Sequence, residues 1–103
     1  MKKSRCSKLS MQPEWERINK QLREIRRRAD VQFSPSEAEL FDEFLQQNEL
    51  GLAFEHLCDA LIRFSSPITR DVYELVEKVG LSMGYKAQAY KAIERLIQEP
   101  NSN

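Results

Sequence analysis

The stretch Glu49–Gly84 decides the predicted fold. It reads ELGLAFEHLCDALIRF over Glu49–Phe64, SSPI over Ser65–Ile68 and TRDVYELVEKVGLSMG over Thr69–Gly84. Apolar residues recur in both long segments at steps of three and four, which places them on one side of an α-helix. These residues are Leu50, Ala53, Phe54, Leu57, Leu61 and Phe64 in the first segment and Val72, Leu75, Val76, Val79 and Met83 in the second. Because only a short turn joins them, we expect the two helices to pack antiparallel with these stripes facing each other.

Capping signals mark where two helices begin. Ser34 can accept the backbone N–H of Glu37, and the Glu37 carboxylate can accept the N–H of Ser34, which together form a capping box. Pro35 suits the first helical position, so a helix is expected from there to about Asn48. Thr69 is expected to cap the second helix of the central stretch through its hydroxyl.

Two further periodic segments complete the predicted helices. One is capped by Ser10 and runs to Ala29, and the other spans Tyr85–Gln98, after Gly84 has supplied the left-handed residue that ends the preceding helix. Their apolar stripes are Trp15, Ile18, Leu22, Ile25 and Ala29 in the first and Ala89, Ala92, Ile93, Leu96 and Ile97 in the second. The predicted fold class is therefore all-α, a small antiparallel bundle of about five helices.

The length of 103 residues leaves room for one domain. We expect a single helical domain over residues 11–99, between a disordered basic tail at residues 1–10 and a disordered C-terminus at residues 100–103. No apolar run approaches the ~20 residues that cross a bilayer, and the basic start leads into polar residues rather than an apolar signal core. A cytoplasmic location is therefore expected.

The net charge of zero conceals an uneven distribution of charge. Residues 1–30 carry ten Lys/Arg and four Asp/Glu, a net charge of +6, whereas residues 37–77 carry two Lys/Arg and ten Asp/Glu, a net charge of −8. The chain thus combines a basic arm with an acidic body. The basic residues leave the first helix a narrow apolar stripe and a cationic outer surface, so we expect it to lie loosely on the body.

Residues that enzymes use are scarce. His56 is the only histidine, Cys58 points to a different side of the same predicted helix, and no metal-ligand spacing is present. The three glycines form no phosphate-binding loop, and Cys6 and Cys58 do not suggest a disulfide. We expect no catalytic residues, no metal site, no cofactor and no enzyme activity.

Nucleic-acid binding is the first alternative function to consider, because Arg26–Arg28 and the basic tail could contact phosphates. Residues around Leu75–Ser82 also suggest the turn of a helix-turn-helix, although the following helix would be only faintly basic and the acidic body would repel a duplex. A structural helical adaptor, which could dimerise through the first helix, is the second alternative.

The central block Glu37–Tyr85 resembles a known family. The helix that contains E-x-G-L-A-x-E-x-L at Glu49–Leu57 and the P-I-T turn at Pro67–Thr69 are similar to segments of Maf-type and contact-dependent growth inhibition immunity proteins. The resemblance implies a small cytoplasmic antidote that binds one toxin domain, often an RNase, and blocks it as a one-to-one complex. It brings no catalytic residues, and the first helix and basic tail lie outside it.

Acidic residues on the outer helix faces are the candidate contacts for such a partner. RNA-cleaving domains hold cationic clefts, so carboxylates could occupy positions where phosphates bind and could also steer association. The candidate partner-binding residues are Glu39, Asp42, Glu43, Glu55 and Asp59, followed by Asp71 and Glu74. The simpler interpretation is that these acids only keep the bundle soluble.

Overall fold

The computed structural model describes the backbone of residues 2–98 and the side chains of residues 14–98. Within these residues the elements are α1 (Lys2–Ala29), α2 (Pro35–Gln46), α3 (Leu50–Arg63), α4 (Arg70–Ser82) and two 3₁₀ helices, Ala87–Ala89 and Lys91–Leu96. The predicted all-α bundle is confirmed. The tail predicted at residues 100–103 lies outside the described residues. None of the described helices has the length and apolar character needed to cross a membrane.

The helix α1 begins at Lys2, earlier than the expected start at Ser10 and inside the segment 1–10 for which disorder was predicted. Residues 2–9 contain neither glycine nor proline, and lysine and arginine are good helix formers. Adding residues to a helix that has already formed is far easier than starting a new one. The composition of this segment therefore permits the helix to continue towards the N-terminus.

The centre of the bundle is α1, which packs against both α4 and α3. Ile18 and Ala29 are buried, and the side chains of Leu22 and Ile25 are 0% exposed. The prediction that this helix lies loosely on the body is therefore wrong. The narrow apolar stripe of α1 is enough to hold the helix in the core, because both α3 and α4 pack against it.

Contrary to the prediction of a facing pair, α3 and α4 are not each other's main packing partners. The closest partners of α3 are α2 and α1, and the closest partner of α4 is α1. The two helices still meet where Phe54 approaches Gly80, whose missing Cβ would lie 3.1 Å from the Phe54 ring. The insertion of α1 beside both helices explains why a short connection does not make them nearest neighbours.

Each of the four α-helices ends in a Schellman motif, in which a residue in the left-handed conformation directly follows the C-cap. The residues and their φ angles are Asp30 (50°), Asn48 (60°), Ser65 (49°) and Gly84 (86°). In each case the next residue donates its N–H to a carbonyl five residues earlier: Val31 to Arg26 at 3.3 Å, Glu49 to Phe44 at 2.8 Å, Ser66 to Leu61 at 3.0 Å and Tyr85 to Gly80 at 2.9 Å. Only the glycine was predicted from sequence.

The predicted helix starts have different outcomes. The capping box of α2 is confirmed: the Glu37 N–H donates to Ser34 Oγ at 3.2 Å, and the Ser34 N–H donates to Glu37 Oε1 at 3.0 Å. Thr69 occupies the N-cap position of α4, but its side chain makes no capping hydrogen bond. The expected capping role of the Thr69 hydroxyl is therefore wrong.

The predicted α-helix over Tyr85–Gln98 is wrong, because this segment forms two 3₁₀ helices. In a 3₁₀ helix every third residue lies on the same side, and Tyr90 and Ile93 occupy such positions at 2% and 0% exposure. The Tyr90 ring needs the space above Gly80, where a Cβ would lie 2.9 Å from it. The proposed helix-turn-helix consequently lacks its second α-helix within the described residues.

The end of the described chain is attached to the turn before α4. The Ile68 N–H donates to Leu96 O at 3.0 Å, and the Gln98 N–H donates to Ile68 O at 2.7 Å. These bonds form an isolated parallel bridge between Ile68 and Ile97. Because extended backbone is needed for this bridge, the chain leaves the helical conformation after Leu96.

The central position of α1 predicts a large effect of Leu22→Ala. Removing this fully buried side chain should lower the free energy of unfolding by about 2–5 kcal/mol. Leu81→Ala is the matched control, because Leu81 is 59% exposed and its truncation should change stability by less than about 0.5 kcal/mol. Urea unfolding followed by circular dichroism measures both. Equal effects of the two substitutions would show that α1 does not form the core.

The Schellman motif at the end of α3 predicts that Ser65→Gly stabilises the protein. Ser65 has a φ of 49°, which strains a residue that carries a Cβ, and glycine relieves that strain. The gain should be up to about 1 kcal/mol, partly offset by the greater freedom of glycine in the unfolded chain. Asn48→Gly should gain less, because asparagine tolerates this conformation. Thermal unfolding of both variants tests this order, and a loss of stability in Ser65→Gly would contradict it.

Candidate partner-binding surface

The structure divides the seven predicted contact residues between two parts of the bundle. All seven are exposed. Glu39, Asp42 and Glu43 lie on α2, Glu55 and Asp59 on the neighbouring α3, and Asp71 and Glu74 on α4. Because α2 packs against α3 whereas α4 packs against α1, the acids of α2 and α3 belong to one side of the molecule and those of α4 to another.

Two of these exposed acids also pair with arginines at the basic end of α1. Asp42 Oδ1 lies 3.2 Å from the guanidinium of Arg26, and Asp71 Oδ2 lies 3.3 Å from that of Arg28. A hydrogen bond from the Thr69 side chain, together with the backbone at Asp71 and the charge of Arg28, lowers the pKa of Asp71. These carboxylates therefore help attach α2 and α4 to α1.

The arginines at the end of α1 are held by the body. The guanidinium of Arg26 lies 5.2 Å from the centroid of the Phe33 ring and 5.4 Å from that of Phe41, as well as near Asp42. Such cation–aromatic contacts orient a guanidinium and add to its attraction for a carboxylate. The cationic surface expected on α1 is thus partly neutralised where the helix meets α2 and α4.

Arg63 joins the beginning of α2 to the end of α3. Its Nη2 donates to Glu37 Oε2 at 2.7 Å, and its Nε donates to Asp59 Oδ2 at 3.1 Å. Hydrogen bonds from the Ser34 backbone and from Arg63 lower the pKa of Glu37, and the two carboxylates raise the pKa of Arg63. This bridge keeps Asp59 beside α2.

Glu55, the other candidate contact residue on α3, is held by Tyr85. The hydroxyl of Tyr85 donates to Glu55 Oε2 at 2.7 Å and lies 3.2 Å from the carbonyl oxygen of Gly51. Gly51 makes this approach possible, because a Cβ there would lie 3.0 Å from the hydroxyl oxygen. Burial, followed by the interaction with Glu55, raises the pKa of Tyr85 to about 12. The sequence offered no signal for this contact.

The remaining acids, Glu39, Glu43 and Glu74, make no hydrogen bond or ion pair with the residues whose side chains are described. Glu39 and Glu43 lie one turn apart on α2, beside the exposed Leu40. With Glu55 and Asp59 they form what we call the α2–α3 acidic surface. The segment from Pro35 to Arg63 holds seven Asp/Glu and one Lys/Arg, a net charge of −6.

His56 and Cys58 have structural surroundings. His56 Nε2 lies 3.1 Å from the carbonyl oxygen of Glu37, and its ring stacks on Phe33 at a centroid distance of 5.1 Å. Cys58 is buried, which raises the pKa of its thiol to about 12 and disfavours the thiolate. Among the described residues, no group of three His, Cys, Asp or Glu side chains is placed to hold a metal ion.

Two features of the surface were not foreseen from the sequence. Trp15, Leu50, Met83 and Tyr85 border a groove of about 530 Å³ between α1, the start of α3 and the end of α4. The other feature is a set of large apolar side chains that remain exposed: Leu40, Leu52, Ile62, Phe64 and Leu81. Phe64 was predicted in the core, but it is 42% exposed because α3 ends at Arg63 and leaves it at the C-cap.

The chain shows no significant match to a protein-family model, a curated protein or a solved structure. The resemblance to immunity proteins therefore stays a prediction from the sequence, and functional inference depends on the surface itself.

The half-buried hydroxyl of Tyr85 predicts a specific pH dependence. Its pKa is about 12 in the folded protein against 10.0 ordinarily, so the neutral form is favoured by folding. The stability that this preference contributes is fully present below pH 10 and is lost as the pH rises through 12. Tyr85→Phe should therefore lose less stability than the wild type over this range, as measured by urea unfolding at several pH values.

Ultraviolet titration near 295 nm gives an independent readout of the same group. Glu55→Gln should lower the high pKa of Tyr85 without restoring the ordinary value, because burial remains the larger cause. Tyr73, whose pKa is also raised, contributes the same absorbance background in the wild type and in Glu55→Gln. Identical alkaline stability curves for the wild type and Tyr85→Phe would show that this hydroxyl is not buried as described.

Proposed function

We propose that this chain is an immunity protein that neutralises a cognate toxin domain, a nuclease of the RNase class. It binds as a one-to-one complex and covers the cationic substrate cleft with the α2–α3 acidic surface. The observation that carries the proposal is the exposure of Glu39, Glu43, Glu55 and Asp59 on two adjacent helices, within the segment Pro35–Arg63 that has a net charge of −6. A cytoplasmic location is part of the proposal, since such an antidote acts inside the producing cell.

Electrostatics supports this mode of inhibition. Carboxylates on a rigid pair of helices can occupy positions where an RNase binds substrate phosphates. The summed negative potential also speeds encounter with a cationic partner, and this effect weakens as salt is added. An interface of ordinary size buries about 800 Å² on each partner, which is roughly a ninth of the 6917 Å² accessible surface of this chain.

Direct binding of nucleic acid has less support. Arg26 and Arg28 contact Asp42 and Asp71, so part of the cationic charge that would meet phosphates is already compensated. The 3₁₀ helices after α4 do not supply a recognition helix for the major groove. These observations leave the acidic surface as the better basis for a function.

The proposal predicts that the chain protects cells from the toxin C-terminal domain encoded immediately upstream of its gene. Co-expression should restore survival, and a one-to-one complex should elute from size-exclusion chromatography. Replacing Glu39 and Glu43 together by lysine should weaken binding by at least roughly tenfold and reduce protection, because like charges would then face the cleft. Isothermal titration calorimetry at two salt concentrations measures the affinity.

Replacement of Glu14 and Glu94 by lysine is the matched control, because it makes the same change of charge at exposed positions outside α2 and α3. Its binding should stay within about threefold of the wild type at physiological salt. The proposal is rejected if the upstream gene encodes no toxin, if the toxin kills regardless of this chain, or if the two double variants behave alike. Tight binding of RNA or duplex DNA by the chain alone would favour the nucleic-acid alternative.

A further inference from the structure

Exposed apolar side chains are concentrated on the same helix pair that carries the acidic surface. Leu40 is 40% exposed, Leu52 46%, Ile62 44% and Phe64 42%. These are four of the five large apolar residues that are exposed among the described side chains, the fifth being Leu81 on α4. Single exposed apolar residues are ordinary, but four of them on one helix pair make that pair the place to look for a binding surface.

The outer face of α3 combines both kinds of side chain. Leu52, Glu55, Asp59 and Ile62 follow one another at steps of three, four and three, which places them on one side of the helix. The opposite side carries the buried Ala53, Leu57 and Leu61. We call these four exposed residues the α3 outer face. It presents two apolar groups with two carboxylates between them.

The two carboxylates of this face are held in position before any partner arrives. Tyr85 fixes Glu55, and Arg63 fixes Asp59. In each case one carboxylate oxygen accepts the bond, and the other has no donor among the described side chains. Groups that are already ordered lose less conformational entropy when they bind. The face is therefore prepared to accept hydrogen bonds from cationic side chains.

We propose that the α3 outer face is the centre of the toxin interface, where Leu52 and Ile62 act as apolar anchors. The inference rests on the proposed function and adds the chemistry of the partner: its surface carries an apolar patch bordered by lysine or arginine side chains. Glu55 and Asp59 pair with these cations, while the patch covers the two anchors. Glu39 and Glu43, one helix away, attract the partner from a distance.

Charge complementarity favours this occupant over two others. A second copy of this chain would bring Glu55 and Asp59 against the same carboxylates, and such repulsion disfavours self-association through this face. A nucleic acid would place phosphates against carboxylates and would leave Leu52 and Ile62 without apolar partners. A cationic protein surface satisfies both kinds of group.

Anchors and distant charges affect different rate constants. Apolar contacts at the centre of an interface mainly set the dissociation rate, whereas charges at its edge mainly set the association rate and its dependence on salt. Surface plasmon resonance with a catalytically inactive form of the upstream-encoded toxin domain separates the two. Replacing Leu52 and Ile62 together by serine should raise the dissociation rate by roughly tenfold or more, with association changed less than about twofold.

Three further variants serve as controls for the Leu52 and Ile62 pair. Leu81→Ser changes an even more exposed leucine on α4 and should leave both rates unchanged. Glu39→Gln with Glu43→Gln should mainly slow association at low salt, and should raise the dissociation rate much less than the Leu52 and Ile62 pair does. Leu52→Ala is the milder variant if the serine pair alters the melting temperature. All variants should keep the wild-type circular dichroism spectrum, because the replaced side chains are exposed.

The outcomes distinguish this inference from the function on which it rests. If the wild type fails to bind the toxin domain, the proposed function is rejected, and this inference with it. If the wild type binds but the Leu52 and Ile62 pair behaves like Leu81→Ser, only the inference is rejected. Sedimentation of the chain alone gives a further check: self-association that the serine pair abolishes would assign the face to a second copy and overturn the proposal.

Discussion

The structure depends on the burial of α1 between α3 and α4. Leu22 and Ile25 are completely shielded from water, so the helix cannot leave the body without exposing its whole apolar stripe. This stripe is narrow and is flanked by arginines, which are costly to bury unless they find carboxylates or remain at the edge. The packing brings Arg26 beside Asp42 and Arg28 beside Asp71. The burial of the apolar stripe of α1 therefore also determines which arginines and carboxylates meet.

The packing of α1 also determines how charge is distributed over the surface. Basic and acidic residues are separated along the sequence, but the fold brings part of each set together at the contacts of α1 with α2 and α4. Glu39, Glu43, Glu55 and Asp59 take no part in those contacts and stay exposed, although Arg63 pairs with Asp59. The acidic character of the α2–α3 side is thus a consequence of how α1 packs. It is this asymmetry, rather than the total charge of the chain, that bears on partner choice.

Periodicity and capping predicted most of the helices and their inward residues, because burial of one face and closure of a helix end leave local patterns. The three left-handed residues that carry a Cβ were missed, since Asp30, Asn48 and Ser65 resemble ordinary loop residues. The 3₁₀ helices were missed because the fit of the Tyr90 ring against Gly80 is a tertiary contact, which the periodicity of a single segment does not reveal. Periodicity also predicted that the acids are exposed, because it places them on the outer faces of the helices. It does not predict which of them pair with an arginine.

Arg63 connects the stability of the helix pair to the order of its surface. It donates to Glu37 at the start of α2 and to Asp59 on α3, so the register between the helices and the orientation of one exposed carboxylate share a single guanidinium. An exposed ion pair of this kind contributes little to folding. Its larger effect is positional, because the planar guanidinium holds two carboxylates in fixed directions. A partner that recognises this surface therefore meets acceptors whose arrangement was set by the packing of α2 on α3.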